Sequence, residues 1–178
     1  MTQASIKNIV TLEVAKKSEL SKFKRDLQES FAVAVIETFG SISCGPIPSD
    51  EDIAASFNTP GAITYHILLN NKKVGGAVVV IDEITQHNSL HLLFISKSEL
   101  SHGIGYKAWK AIEEKHPKTK IWETHTPYFE KRNIHFYVNK CGFKIVEYFN
   151  KKHLDPHIPE GDDLPGGQDF FRFEKVMK

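Results

Sequence analysis

The sequence predicts an α/β (α+β) fold built on one mixed, largely antiparallel central sheet flanked by helices, and three observations predict it. Two strand-like runs, Ala62 to Leu69 and Lys73 to Ile81, stand back to back around Asn70-Asn71-Lys72, a hairpin signal. Beyond them, short apolar runs alternate with amphipathic ones of helical period, so later strands are joined through helices. The third strand of this run feeds a Gly-x-Gly turn, Gly103-Ile104-Gly105, which opens a helix. About six or seven strands are expected in all.

The elements follow in order. Ile9 to Val14 is β-branched and loosely alternating, a first strand. Ser18 to Thr38 is a helix whose apolar stripe is Leu20, Phe23, Leu27, Phe31, Val35 and Ile36. Gly40 to Ser49 is a Gly/Pro/Ser loop, and Asp50-Glu51-Asp52 starts a short helix that ends near Asn58. The hairpin comes next, with Gly75-Gly76 marking a bulge or a close backbone approach. Asp82 to Asn88 is a polar turn and Ser89 to Ser96 an apolar strand. The helix after the Gly-x-Gly turn runs to about Lys115, with Ile104, Ala108, Ala111 and Ile112 on one face, and His116-Pro117 ends it. Lys120 to Glu123 is a strand, Pro127-Tyr128 a loop, and Glu130 to Lys140 a helix stopped by Gly142. Phe143 to Tyr148 is a strand, Asp155 to Gln168 a long loop rich in Pro, Gly and Asp, and Asp169 to Lys178 a closing strand.

Composition bounds the function. The 178 residues fit one domain, 1–178, with a net charge of +1. No clustered basic face points to nucleic acid, and no apolar run approaches membrane-spanning length. Met1 to Val10 has no secretory apolar core. Cys44 and Cys141 stand far apart with no metal-ligand spacing, which fits a reduced, cytoplasmic setting.

A strand, a Gly-x-Gly turn and a helix form an anion cradle. The first amides of a helix lack internal acceptors and carry the positive end of its dipole. Glycines let a phosphate approach them. The stretch Leu100-Ser101-His102-Gly103-Ile104-Gly105 is followed by Asn133-Ile134-His135-Phe136-Tyr137-Val138-Asn139-Lys140-Cys141-Gly142-Phe143. Together these resemble the two signatures of the GNAT superfamily of N-acetyltransferases: Gln or Arg, two residues, Gly, one residue, Gly or Ala; then an Asn, a helical Tyr and Gly-Phe.

The resemblance implies a GNAT-like sheet splayed at the acyl-CoA site. It implies an acetyl-CoA-dependent transfer to a primary amine, directly, in a ternary complex. Phe94 and Ile95 would contact pantetheine, Leu100, Ser101, His102, Gly103, Ile104 and Gly105 the pyrophosphate, and Asn133 the cofactor arm. Tyr137 would protonate the leaving thiolate. The sequence departs from the pattern in three places. Leu100 replaces the Gln or Arg, so backbone amides must do more. One extra residue separates Tyr137 from Gly142, which turns a helical side chain by about 100° unless a bulge absorbs it. Ser89 stands where some members carry a glutamate base. His91, on the same strand, suits a base near neutral pH, though as a strand histidine it reads more readily as a partner in an ordinary hydrogen bond. Glu123 and His125 are a further candidate pair.

No metal is expected: His153 and His157 have a His-x3-His spacing, but Pro156 intervenes. Cys141 reads as a buried helix-end cysteine, and Asp162-Asp163 as a solvated loop or a recogniser of a cationic amine. Of Trp122, Tyr128, Phe129 and Phe136, at least two are expected in the core. The acceptor is a small molecule or a peptide amine, and a homodimer stays open. A non-catalytic acyl-CoA-binding domain on the same fold is the alternative.

Overall fold

The computed structural model describes residues 8–42, 45–100, 102–157 and 166–178. Cys44, Ser101, Asp162 and Asp163 lie outside them. Seven strands form one sheet in the order β1-β2-β3-β4-β5-β7-β6. They are β1 (Val10–Val14), β2 (Ala62–Leu69), β3 (Lys72–Val80), β4 (His87–Ile95), β5 (Ile121–Pro127), β6 (Lys144–Phe149) and β7 (Phe170–Val176). Among the described residues, four α-helices accompany them: α1 (Leu20–Phe39), α2 (Asp50–Asn58), α3 (Ile104–Lys115) and α4 (Lys131–His135).

The local signals explain most of this. Asn70 and Asn71 both take positive φ, 49° and 68°, the backbone that a two-residue hairpin needs. Lys72 therefore belongs to β3, not to the turn. The Ser49 side chain accepts from the Asp52 amide at 3.1 Å and starts α2. Gly40, at φ 79°, ends α1. Pro127 extends β5 beyond the expected Glu123, because β5 pairs along its whole length with β7.

The two faces of the sheet carry separate cores. Val78 belongs to a cluster with Phe23, Leu27, Ile53 and Phe94 under α1 and α2. Val79 belongs to a larger cluster with Leu90, Trp109, Trp122, Tyr137, Phe143 and Phe173 under α3 and α4. Adjacent strand residues point to opposite faces. A Cβ on Gly76 would overlap the Phe23 ring, so this glycine lets α1 lie directly on β3.

Every neighbouring pair is antiparallel except β4 with β5. That parallel pair lasts only from His87↔Ile121 to Leu90↔Thr124, and the Thr124 hydroxyl donates to the Leu90 carbonyl at 2.9 Å at its last rung. Beyond it the two strands part. On the other side of β4, Val79 faces Leu90 and Val78 faces Leu92, so His91 is the extra residue of a bulge. A bulge bends its strand and raises the local twist, which accounts for the opening starting there.

Candidate active site

The site is built around this splay. Past Leu90 the edge of β4 that faces β5 has no strand partner among the described residues, so its polar backbone groups are available to a guest. Phe94 and Ile95 end β4 with side chains buried in opposite cores, which leaves their backbones as the contact surface. A cleft of about 910 Å3 opens on the α1 side of the same strand end, lined by Phe23, Ser30, Val33, Gly75, Phe94 and Ser96 among others.

At the end of β4 the chain makes a 3-10 turn and enters α3 through Gly103, at φ +71° with no side-chain cap. The amides of Ile104, Gly105 and Tyr106 precede the first intrahelical bond, from the Lys107 amide to the Gly103 carbonyl at 3.2 Å. A Cβ on Gly103 would meet nothing within 4 Å, so backbone conformation, not crowding, calls for glycine there. A Cβ on Gly105 would stand 3.4 Å from the Phe136 ring, so a longer side chain would press on the neighbouring helix. Ile104 is buried and anchors the turn. Leu100 packs its side chain against the larger core, which leaves only its backbone for a ligand. His102 is exposed beside the turn. Open space at Gly103 and amides ahead of the first intrahelical bond suit a pyrophosphate, and the nearby Glu99 is engaged by Lys72 at 3.3 Å.

The extra residue before Gly142 is absorbed. α4 passes into a π-helical turn, Phe136–Lys140, closed by the Cys141 amide on the Phe136 carbonyl at 3.0 Å. One more residue per turn is what a π bulge accommodates. Gly142 then reverses the chain at φ +82°, and the Phe143 amide bonds the Tyr137 carbonyl at 2.9 Å. Tyr137 is 6 % exposed, among Phe136, Phe143 and Phe173. Burial holds its hydroxyl far above the ordinary tyrosine range; Cys141 adds to this, and a hydrogen bond with Thr124 opposes it. Thr124 is also the last rung of the β4·β5 pair, so the hydroxyl lies at the apex of the splay.

His91, Glu123 and His125 face one another across the seam. His91 is exposed on the bulge, and its pKa is lowered by desolvation and by His125, with Glu123 opposing. That of His125 is lowered by desolvation, against Glu123 and Asp155. Both rings are neutral at pH 7. Glu123 is engaged by Arg172 at 3.3 Å and by His87 at 3.2 Å. His87, Glu123 and Glu174 bring one ligand atom each within 4.8 Å of one another, but Arg172 already bonds both glutamates. His153 pairs with Glu147 at 2.8 Å outside any helix.

Asn133 is half-buried on α4, four residues before Tyr137. Cys141 is buried, and desolvation pushes its thiol up to about 12, which rules out a ready nucleophile. Trp122 and Phe136 are core residues, while Phe129 stacks edge-on with Phe39 at 5.1 Å and Tyr128 is exposed. Glu130, just before α4, escaped the sequence reading. It is 6 % exposed and its carboxyl is raised to about 7 by desolvation, with Glu37 adding and Arg132 opposing. Nothing local in the sequence marks it, because burial is set by tertiary packing.

Comparison with known proteins gives a consistent picture. The model of the acetyltransferase (GNAT) family matches residues 25–143. The uncharacterized protein YrkN of Bacillus subtilis strain 168 is 59% identical over 174 residues, covering 95% of this chain and 94% of that protein. Among solved structures, an IAA acetyltransferase from Bacillus cereus ATCC 14579 superposes with a TM-score of 0.66 at 18% identity, covering 95% of this chain and 100% of that one. A GNAT family acetyltransferase from Elizabethkingia anophelis with acetyl-CoA bound gives 0.65 at 17% identity, covering 94% and 98%. At these identities the structural likeness is one of fold.

Proposed function

The chain belongs to the GNAT acetyltransferase family, and on that premise we propose that it moves an acetyl group from acetyl-CoA to a primary amine by direct transfer in a ternary complex. The observation that supports this reading is the π turn, which takes up the extra residue before Gly142 and so would let Tyr137 serve at the splay. A merely acyl-CoA-binding domain would have no use for a hydroxyl there.

The acetyl donor's pyrophosphate lies against the amides from His102 to Gly105, and its pantetheine arm along the free edge of β4 at Phe94 and Ile95, with Asn133 steering the arm. Backbone amides on that edge polarise the thioester carbonyl. The amine enters as an ammonium ion and must lose a proton to expose its lone pair. His91 takes it, being neutral near pH 7 and next to His125 rather than to a fixed cation. The C–N bond forms and the C–S bond breaks; Tyr137 gives its proton to the departing sulfur, and the nitrogen sheds its second proton to solvent, leaving a neutral amide.

The test is thiol release from acetyl-CoA with a panel of primary amines: an aromatic amine, an aliphatic diamine and an alanyl peptide. Calorimetry with CoA runs beside it. Amine-dependent release supports acetyl transfer. Tight CoA binding with no release from any amine would leave a binding domain.

A further inference from the structure

β5 turns Trp122, Thr124 and Thr126 to one face, and all three are buried. A hydroxyl in such a place is unfavourable unless it is bonded, and a valine would fill the same space without that demand. The Thr124 hydroxyl finds its acceptor on the main chain of the neighbouring strand, the Leu90 carbonyl, at 2.9 Å. A side-chain bond of this kind is no part of the ladder. It lies at the last rung, Leu90↔Thr124, where β4 and β5 part.

What hangs on that carbonyl is His91. The Leu90 carbonyl and the His91 amide belong to one planar trans peptide, which also contains the His91 Cα. With the carbonyl held toward β5, the amide is turned the other way, toward β3. His91 needs such a hold more than its neighbours do. It is the extra residue of the bulge, between the pairs Val79↔Leu90 and Val78↔Leu92, so no β3 residue stands opposite it. Nor does any β5 residue pair with it among the described residues. The pinned peptide is therefore the fixed point from which its side chain leaves the strand.

We propose that Thr124 is a positioning residue for the base of acetyl transfer: its buried hydroxyl pins the Leu90 carbonyl and, through that one peptide, sets the direction in which the His91 ring leaves β4. The proposal rests on the acetyl-transfer reading above, with His91 as the base. Thr124 takes no proton itself and acts only through His91. The hydroxyl is the working group, so serine keeps the function and valine, which puts a methyl in its place, loses it. Phe94 and Ile95 lie further along β4, so the grip on the acetyl donor is left largely as it was.

The experiment measures kcat with acetyl-CoA and the best amine of the panel, and CoA affinity by calorimetry. It compares Thr124→Val and Thr124→Ser, each alone and in the His91→Ala and Tyr137→Phe backgrounds, with melting temperatures beside them. Thr124→Val lowers kcat about tenfold, the scale of a modest misplacement of a reacting group, and changes CoA affinity less than about twofold. Thr124→Ser restores kcat. In the His91→Ala background Thr124→Val costs less than about twofold, because both act on one proton transfer. In the Tyr137→Phe background it keeps its cost, which separates this route from the bond that Thr124 shares with Tyr137. A folded Thr124→Val with unchanged kcat overturns the proposal, as does a cost that persists without His91 or vanishes without Tyr137.

NMR of the free protein reads the pin without any turnover. The Leu90 carbonyl carbon-13 resonance and the His91 ring resonances both move on Thr124→Val and return on Thr124→Ser. A moved carbonyl beside an unmoved ring would leave Thr124 a staple between strands and overturn its positioning role. If wild type binds CoA yet releases no thiol with any amine, the acetyl-transfer reading falls. The ring resonances still tell whether Thr124 sets His91, so that failure is distinguishable from a failure of the pin.

Discussion

α3 and α4 follow the two strands that part at the splay, and they are built in contrasting ways. α3 opens on a backbone device: Gly103 in a left-handed conformation, free amides behind it, and an apolar stripe that seats Ile104, Ala108, Trp109 and Ile112 in the core. Its buried carboxylate, Glu113, is neutralised by two lysines. α4 is only five residues long and continues as a π turn, and the buried carboxylate before it, Glu130, makes no ion pair among the described residues. On the proposed function, one region would hold the acetyl donor with a regular helix, and the other would place Tyr137 with an irregular one. The difference teaches where substitutions should strike binding and where they should strike turnover.

The largest expected effect is at Tyr137. Tyr137→Phe removes one hydroxyl and leaves the aromatic packing with Phe136, Phe143 and Phe173. Turnover with acetyl-CoA and an amine should fall by about one to three orders of magnitude, the scale of general acid loss, while CoA affinity by calorimetry stays level. Equal turnover in the variant would put the π turn among structural irregularities and erase the contrast with α3.

His91→Ala should lower turnover by about a hundredfold. The pH profile carries a sign. The folded-state pKa of His91 is lowered, so the neutral form needed to accept a proton persists below the usual histidine range. Wild-type turnover should therefore hold through pH 6.5 and drop only on further acidification. A profile that already fails at pH 7 would hand the role to Glu123 or to a water chain.

Gly105→Glu tests the α3 side. It places bulk against Phe136 and negative charge beside the free amides. CoA affinity should weaken at least about tenfold, which corresponds to about 1.4 kcal/mol. A folded variant that binds CoA as wild type does would remove the turn from the site.

The same contrast explains what was legible in the sequence. The strands and α3 were, because hairpin residues, apolar period and glycine position are local signals that tertiary packing here reinforces. The sheet's splay was implied only through family resemblance; the bulge at His91 that begins it depends on register between β3 and β4, which no single segment encodes. Tyr137 was legible as a residue, but its orientation was not, since a π turn depends on how Gly142 and Phe143 are held from outside. Glu130 was invisible: a glutamate before a helix is ordinary until tertiary packing buries it. Backbone grips can be read from spacing, whereas proton chemistry depends on burial.

The smallest expected effect is on stability, and it separates Glu130 from Glu113. The Glu130 carboxyl rises from 4.5 in the unfolded chain to about 7 in the fold. Between those values the folded protein binds more protons than the unfolded one, so stability falls as pH rises through this window and stays reduced above it. Glu130→Gln has no such proton to lose. Its melting temperature should match wild type near pH 5 and exceed it at pH 8. The whole shift would correspond to about 3 kcal/mol by linkage. Residual hydration of the carboxyl and the cost of burying the new amide cut this to about 1 kcal/mol, or roughly 2–4 °C for a chain of this size. Glu113→Gln should go the other way at pH 8, because it strands Lys110 and Lys175 beside a neutral group. Thermal unfolding of the two variants at both pH values reads the contrast directly. A Glu130→Gln variant that loses stability at pH 8 would mean that the carboxylate is paired after all, and that both helices bury their charge in the same way.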